Sequence, residues 1–325
     1  MKLNLYDRDL NRIAIIGDQY VSCLWSEGYN TVENFSLEVI ATDSYKKKLR
    51  PGLYVGRSDR KTLMVIKTAQ VIGDKIVCSG KQAAQVLDDV AFIGAIPAGS
   101  VVASSIKTAY DGSTGYLNVG VAGSGIDATY PEQITNKSIL ELCTTMCQGA
   151  DIGFRAVRGE GGIVIEFYQP ELNENLKFSE RFGNVAVESL TFSDAVYKNY
   201  AIVLGENADK QIVIQDVDLS GGGERFELIV DGGVAWEETD TESTYRAKLR
   251  AYGMEQLREH RKTIACAFSP IASEFGKRYD LGDILTVILP DYDLKLQASV
   301  ARFTEKTQNN KTTTTIEVGQ ITIVR

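Results

Sequence analysis

Four acidic residues, Glu237, Glu238, Asp240 and Glu242, crowd one short stretch of the chain. Paired carboxylates hydrolyse glycosides, one donating a proton while the other attacks or activates water. The same residues suit a helix N-terminus, where acidic side chains meet the positive end of the helix dipole. Cys143 and Cys147 are spaced i, i+4, which on a helix sets two thiols on one face. A zinc site needs two further ligands. The chain has five cysteines (Cys23, Cys78, Cys143, Cys147 and Cys266) and one histidine, His260. No second pair completes a metal site, so the thiols read as core residues. One histidine and no nucleophile elbow give serine- or cysteine-histidine catalysis no framework. Gly123-Ser124-Gly125 lacks the strand-before, helix-after context of a phosphate cradle and reads as a turn. Gly221 to Gly223 reads as a hairpin tip. No catalytic, cofactor-binding or metal-binding residue is assigned, and no cofactor is expected.

The elements around these residues are mostly strands. Leu3 to Asp7, Arg12 to Ile16, Val21 to Trp25, Asn34 to Ile40 and Leu53 to Val55 alternate apolar and polar residues in short runs. Thr62 to Ala69 and Lys75 to Ser79 form a hairpin around Gly73-Asp74. Gln82 to Asp88 is a short helix candidate. Residues 91–128, rich in Gly, Ala and Ser, give no clear pattern. Asn136 to Cys147 is an amphipathic helix with Ser138 and Glu141 at capping-box spacing and Gly149 as its stop. Gly153 to Arg158 and Ile163 to Tyr168 make a hairpin across residues 159–162. Arg181 to Glu206 reads as a hinge strand pair returning the chain from a peripheral module to a central one. Gln211 to Val217 and Glu224 to Val230 are strands around the triple glycine. Thr241 to Arg261 is the longest helix, with Thr239 and Glu242 as its capping pair and His260 at its C-terminal carbonyls. Ile284 to Leu289, Leu294 to Phe303 and Thr312 to Val318 end the chain as strands, the last two joined by a turn at residues 308–311.

At 325 residues there is room for about two to four compact modules. Net charge is -8 and the pI near 5.0, against a protein that grips nucleic acid with clustered Lys and Arg. The basic run Tyr45 to Arg50 reads as a solvated loop or helix end. Five scattered cysteines fit free thiols in a reducing cytoplasm. Met1 to Leu10 carries charges and has no apolar core, unlike a secretion signal. No run approaches the roughly 20 apolar residues of a bilayer span, so no membrane insertion is expected. Trp25, Tyr29 and Phe35 lie close together and read as core, although aromatics also enrich interfaces.

An echo joins the two ends of the chain. Gly52 opens a strand that precedes the hairpin ending at Gly80, and Gly282 opens a strand that precedes the hairpin ending at Gly319. It reads either as a duplicated strand-rich unit or as the common placing of glycine at strand ends.

Several stretches resemble one family in order. They are Leu5-Tyr6-Asp7 with Leu10 and Ile13; Trp25, Tyr29 and Phe35-Ser36-Leu37; Ile66-Lys67 and Val77 to Lys81; Asp151 to Arg155; Phe182-Gly183-Asn184; Tyr197-Lys198-Asn199; Tyr279 to Asp283; and Thr304-Glu305 with Glu317-Val318-Gly319. Together they resemble phage tail hub proteins, the tail-tip or baseplate-hub proteins of long-tailed phages and prophages. The family has Gly-Asp before Phe35, where this chain has Glu33-Asn34. The resemblance implies a structural protein rather than an enzyme. It implies a homotrimeric ring in the virion tail, made in the bacterial host cytoplasm, with a channel for DNA and no sequence-specific nucleic acid binding. Its expected partners are a tail tube or distal tail protein and a spike or fibre protein. Larger relatives carry a C-terminal peptidoglycan hydrolase; here the sequence stops at Arg325 after the last hub strand, and any such activity is expected on another chain.

The expected fold class is α+β and strand-dominated, with two β-barrel-like tube domains and peripheral α+β pieces. The first tube domain spans 1–100, a peripheral α+β domain 101–180, the second tube domain 181–238 with 276–325, and a helical insertion 239–275. Two alternatives remain: a cell-wall hydrolase working through Glu237 and Glu238, and a host-receptor-binding module.

Overall fold

Alternation in the first strands puts Leu3, Leu5, Trp25, Phe35, Leu37 and Val39 in the core with polar neighbours between them, and that pattern organises the sheet. The computed structural model describes residues 1–112, 119–121, 125–159, 162–309 and 311–324. The first strands are β1 (Leu3–Tyr6), β2 (Arg12–Gly17), β3 (Ser22–Gly28), β4 (Asn34–Ile40), β5 (Tyr54–Arg57), β6 (Leu63–Ile72) and β7 (Lys75–Gln82), with helix α1 (Asp43–Lys48) after β4. A 3-10 turn, Ala83–Asp89, follows. Next come β8 (Ala91–Ile96), β9 (Ser100–Val101), α2 (Val102–Asp111), β10 (Val119–Val121), β11 (Thr129–Tyr130), β12 (Ile134–Ser138), α3 (Ile139–Gly149), β13 (Gly153–Gly159), β14 (Gly162–Tyr168) and β15 (Leu172–Phe178). The chain continues through β16 (Val185–Ser193), β17 (Tyr200–Glu206), β18 (Ile212–Asp218), β19 (Glu227–Asp231), α4 (Glu242–Glu259) and β20 (Thr263–Pro270). It closes with β21 (Ile284–Leu289), β22 (Leu294–Gln308) and β23 (Lys311–Val324).

The fold is strand-dominated. One eleven-stranded sheet runs β15-β21-β22-β3-β4-β7-β6-β5-β1-β2, with β23 also paired to β22. The described strands form no closed barrel, because β2 and β15 stay at opposite ends of the sheet. The β3–β22 pairing, Gly28 to Ser22 against Arg302 to Gln308, fuses the two ends of the chain into one sheet.

The chain divides into two units. Unit 1 is Met1–Val187 with Phe268–Arg325, and unit 2 is Glu188–Ala267. In unit 1, α2, α3 and the β13–β14 hairpin bury Ile106, Leu142, Met146, Ile152 and Ile165 in one core. In unit 2, β17 lies between antiparallel β18 and parallel β19. Helix α4 buries Tyr245, Leu249 and Leu257 against Ala201, Val203, Val213, Val217 and Val230.

Several local expectations hold. Ser138 caps α3 with a reciprocal capping box to Glu141, and Lys46, Lys47 and Lys48 form the last turn of α1. Others are corrected. The two strands of the 181–206 stretch do not pair with each other: β16 pairs β20, and β17 pairs β18 and β19. The strands flanking the triple glycine are likewise separated by β17, so it is not a hairpin tip. Thr241, not Thr239, caps α4, exchanging hydrogen bonds with Thr244. Gly149 is the last residue of α3, and the left-handed position after it is Asp151, with φ 52°. Expectations at residues 122–124, 160–161 and 310 fall outside the described residues.

Candidate assembly site

Two glycine corners repeat one piece of backbone geometry at the two ends of unit 1. At the first, Gly52 N donates to Ile66 O at 2.8 Å, and Ile66 N donates to Leu53 O at 2.9 Å. At the second, Gly282 N donates to Val300 O at 2.8 Å, and Val300 N donates to Asp283 O at 2.9 Å. Both glycines have φ +85°, a conformation that L side chains rarely adopt. A Cβ at Gly52 would meet the Arg8 guanidinium, and one at Gly282 the Tyr29 ring. Each corner opens a strand that pairs antiparallel with the first strand of a hairpin: β5 with β6 and β7, β21 with β22 and β23. In both hairpins the register shifts beside the residue that bonds the glycine, at Ile66 and at Val300. A register shift bends a strand and increases its twist. The glycine echo in the sequence is therefore a repeated three-strand unit.

Between these units lies a cavity of about 700 Å³, lined by β3, the segment after β5, β22 and the segment after residue 270. Two of the charged side chains in its walls, Arg57 and Glu27, are almost fully buried. Arg57, with its side chain 3% exposed, donates to both carboxylate oxygens of Asp59 at 2.9 and 2.7 Å and to Glu305 at 3.2 Å. Trp25 Nε1 donates to Glu27 at 2.6 Å. Arg60 lies 3.8 Å from Glu27, and its guanidinium carbon sits 4.2 and 4.3 Å from the centroids of Phe275 and Phe303. Those two rings stack at 4.5 Å. Strand register explains the gathering: Phe303 pairs with Glu27 and Glu305 with Trp25 across β22 and β3, and directly opposed residues share a face. At the far wall Arg155 bonds Glu166 at 3.0 Å and Asp280 at 3.3 Å.

Burial works against the charge on Arg57, yet the Asp59 hydrogen bonds and the Glu305 charge hold its guanidinium above its ordinary value. The same bonds hold Asp59 below the usual carboxylate range. These groups stay ionised, which suits a lock rather than proton transfer. Buried ion pairs add little net stability, but each partner is costly to strand. Among the described residues, the cavity lining holds neither His nor Cys, and no cluster of His, Cys, Asp and Glu is gathered for a metal.

Three of the four acidic residues clustered in unit 2 are paired with bases. Lys248 pairs with Glu237 at 2.8 Å and Asp240 at 3.0 Å, and Arg246 with Glu242 at 3.0 Å. The Glu237 backbone N–H and Lys248 hold Asp240 below its ordinary value, whereas a general acid needs its pKa raised. His260 caps α4, with Nδ1 2.8 Å from Gln256 O. Cys143 and Cys147 lie in the core of unit 1, and burial pushes the Cys143 thiol up to about 12. Burial likewise pushes Cys23 to about 12 and Cys78 to about 11. No described helix is long and apolar enough to cross a membrane. Sequence reasoning did not single out Glu27, Arg57 or Arg60 and had Glu305 only within the family resemblance, since strand pairing brings these residues together.

The model of one family, described as Siphovirus ReqiPepy6 Gp37-like protein, matches residues 126–320, more than half of the chain. Among curated proteins no relative matches the sequence. Solved structures share the fold over nearly the whole chain. Prophage tail protein gp18 from Listeria monocytogenes EGD-e has 11% identity and a TM-score of 0.55, covering 98% of this chain and 94% of that one. The 43 kDa tail protein of prophage MuSo2 from Shewanella oneidensis has 14% identity and a TM-score of 0.54, covering 98% of each. A tail protein from Neisseria meningitidis MC58 has 10% identity and a TM-score of 0.52, covering 98% of this chain and 97% of that one.

Proposed function

This chain belongs to the Siphovirus ReqiPepy6 Gp37-like protein family, and on that premise we propose that it is a structural hub of a phage tail. It joins the tail tube to the tail tip as a homotrimeric ring around a channel for DNA. The observation that carries this reading is the pair of glycine corners. One chain holds two like three-strand units, so three chains present six like units and match a hexameric tube on one side and a trimeric spike or fibre on the other. Each unit supplies one of the two tube-type halves of the chain, and the buried Arg57–Glu305 pair, with Arg60 over the Phe275 and Phe303 rings, ties the halves together. A net charge of -8 lets DNA pass without adhering.

Light scattering of the purified chain over a range of concentrations tests the ring. A trimer is expected, and a dimer counts against it. Deleting the chain tests the role, since tails should fail to assemble without it; normal tails in its absence would sink the hub.

A further inference from the structure

The sheet of unit 2 has two unlike faces. Helix α4 covers one. On the other, strand register places Leu204 opposite Ile214 and Ile202 opposite Ile229, with Ile212 opposite Glu206. Ile212, Ile214 and Ile229 are 69%, 53% and 69% exposed. Such side chains usually face a core or a partner. The margin of this face is acidic. Asp216 lies opposite Ile202, Glu227 opposite Tyr200 and Asp231 opposite Leu204.

At one end of the face is a cavity of about 660 Å³. Leu204, Ile212, Trp236, Glu206, Asp231 and Lys210 line it. A tryptophan wall with two carboxylates suits a cationic side chain, which gains both an ion pair and a cation–π contact. Lys210 is the one base among the described lining residues, and it is exposed at the turn. The neighbouring Arg225 shows how this face holds a cation. Its guanidinium lies 4.2 Å from the Tyr200 centroid and bonds Asp218 at 2.9 Å.

We propose that this open face docks a cationic, amphipathic segment of another protein chain, with an arginine or lysine seated in the Trp236 cavity. Charge selects the occupant. A second copy packed on the same face would bring like carboxylates together. Nucleic acid and anionic bilayers carry the same sign as the margin. The apolar centre calls for apolar side chains between the partner's basic ones. The proposal stands on unit 2 and does not depend on the hub reading.

The test is fluorescence anisotropy of the full chain with a labelled peptide that alternates arginine and isoleucine. Saturable binding that weakens with salt is expected. Ile229→Ser with Ile214→Ser, and separately Glu206→Gln with Asp231→Asn, should each weaken it about tenfold or more. Trp236→Leu should do the same. Trp236 also packs 4.9 Å from Tyr245, so the exposed isoleucine variants keep the test decisive if that variant misfolds. Ile15→Ser and Ile40→Ser, at exposed positions of unit 1 (64% and 51%), should leave binding unchanged. Four results would overturn the proposal: no saturable binding, equal binding of an arginine–serine peptide, equal losses from the unit 1 variants, or self-association of the chain through this face.

Discussion

Of the chain's 43 acidic and 35 basic side chains, 15 and 9 fall in unit 2, a net -6; the remaining 28 and 26 leave unit 1 at -2. Unit 1 gathers charge inward. Arg57, Glu27, Arg60 and Glu305 are mostly buried and opposite signs are matched around one cavity. Unit 2 keeps most of its charge at the surface, the Asp240 side chain against Lys248 being the buried exception at 4% exposed, and leaves one apolar sheet face open. The difference teaches where each unit's specificity lies. Buried pairs fix how strands of one chain register with each other, whereas an apolar face with a mainly acidic margin selects what meets it from outside.

The largest effect that would test this contrast is at Arg57. Arg57→Met strands the Glu305 carboxylate, whose side chain is only 12% exposed, and should cost unit 1 about 3–5 kcal/mol. Denaturation followed by hydrogen exchange should show the loss in β3, β5 and β22, with α4 unchanged; a loss spread evenly over both units would break the comparison. Leu249→Ala is the converse. Leu249 is fully buried under the unit 2 sheet, and its truncation should cost about 2–5 kcal/mol, read as faster exchange in β17 and α4 and not in the large sheet.

Gly52→Ala and Gly282→Ala come next, at about 1–3 kcal/mol each. If the corners are equivalent, the two variants lower the unfolding midpoint by similar amounts, and a neutral alanine at either would end the equivalence.

The smallest effects are in pH dependence, where one carboxylate from each unit differs in sign. Burial raises the folded pKa of Asp283 in unit 1. Its contribution favours the folded state below its unfolded pKa and is lost as pH rises through the folded value. Asp240 in unit 2 is lowered. Its contribution is present above its unfolded pKa and is lost as pH falls through the depressed value. Urea titrations at stepped pH should therefore show Asp240→Asn losing less stability than the parent chain below roughly pH 4. Asp283→Asn should lose less than the parent as pH rises from roughly 4 to neutrality.

Local features were legible where the signal is local. The Ser138–Glu141 box read correctly because both partners lie within one turn. The α4 cap was misplaced because Thr239 and Thr241 both offer a hydroxyl ahead of the helix, and only the Thr244 contact separates them. Helix α2 was missed although Val102, Ile106 and Tyr110 are buried at helical spacing. Its Ala, Ser and Thr residues dilute that stripe, and Val101 supplies no side-chain cap. The echo of Gly52 and Gly282 was visible, since a left-handed position favours glycine and leaves a mark on sequence.

The sequence by itself determined the strand-dominated class, most strand positions of the large sheet, the two glycine corners and the acidity of residues 188–267. Each follows from residue type or from short-range periodicity. Tertiary structure alone decided which strands pair. It sent β16 to β20, inserted β17 between β18 and β19, and joined β3 to β22. The charged cavity exists only through that last pairing, because Glu27 and Phe303 become neighbours by register and not by any motif. Pairing partners depend on loop closure and the burial of whole faces, energies summed over many residues far apart in the chain.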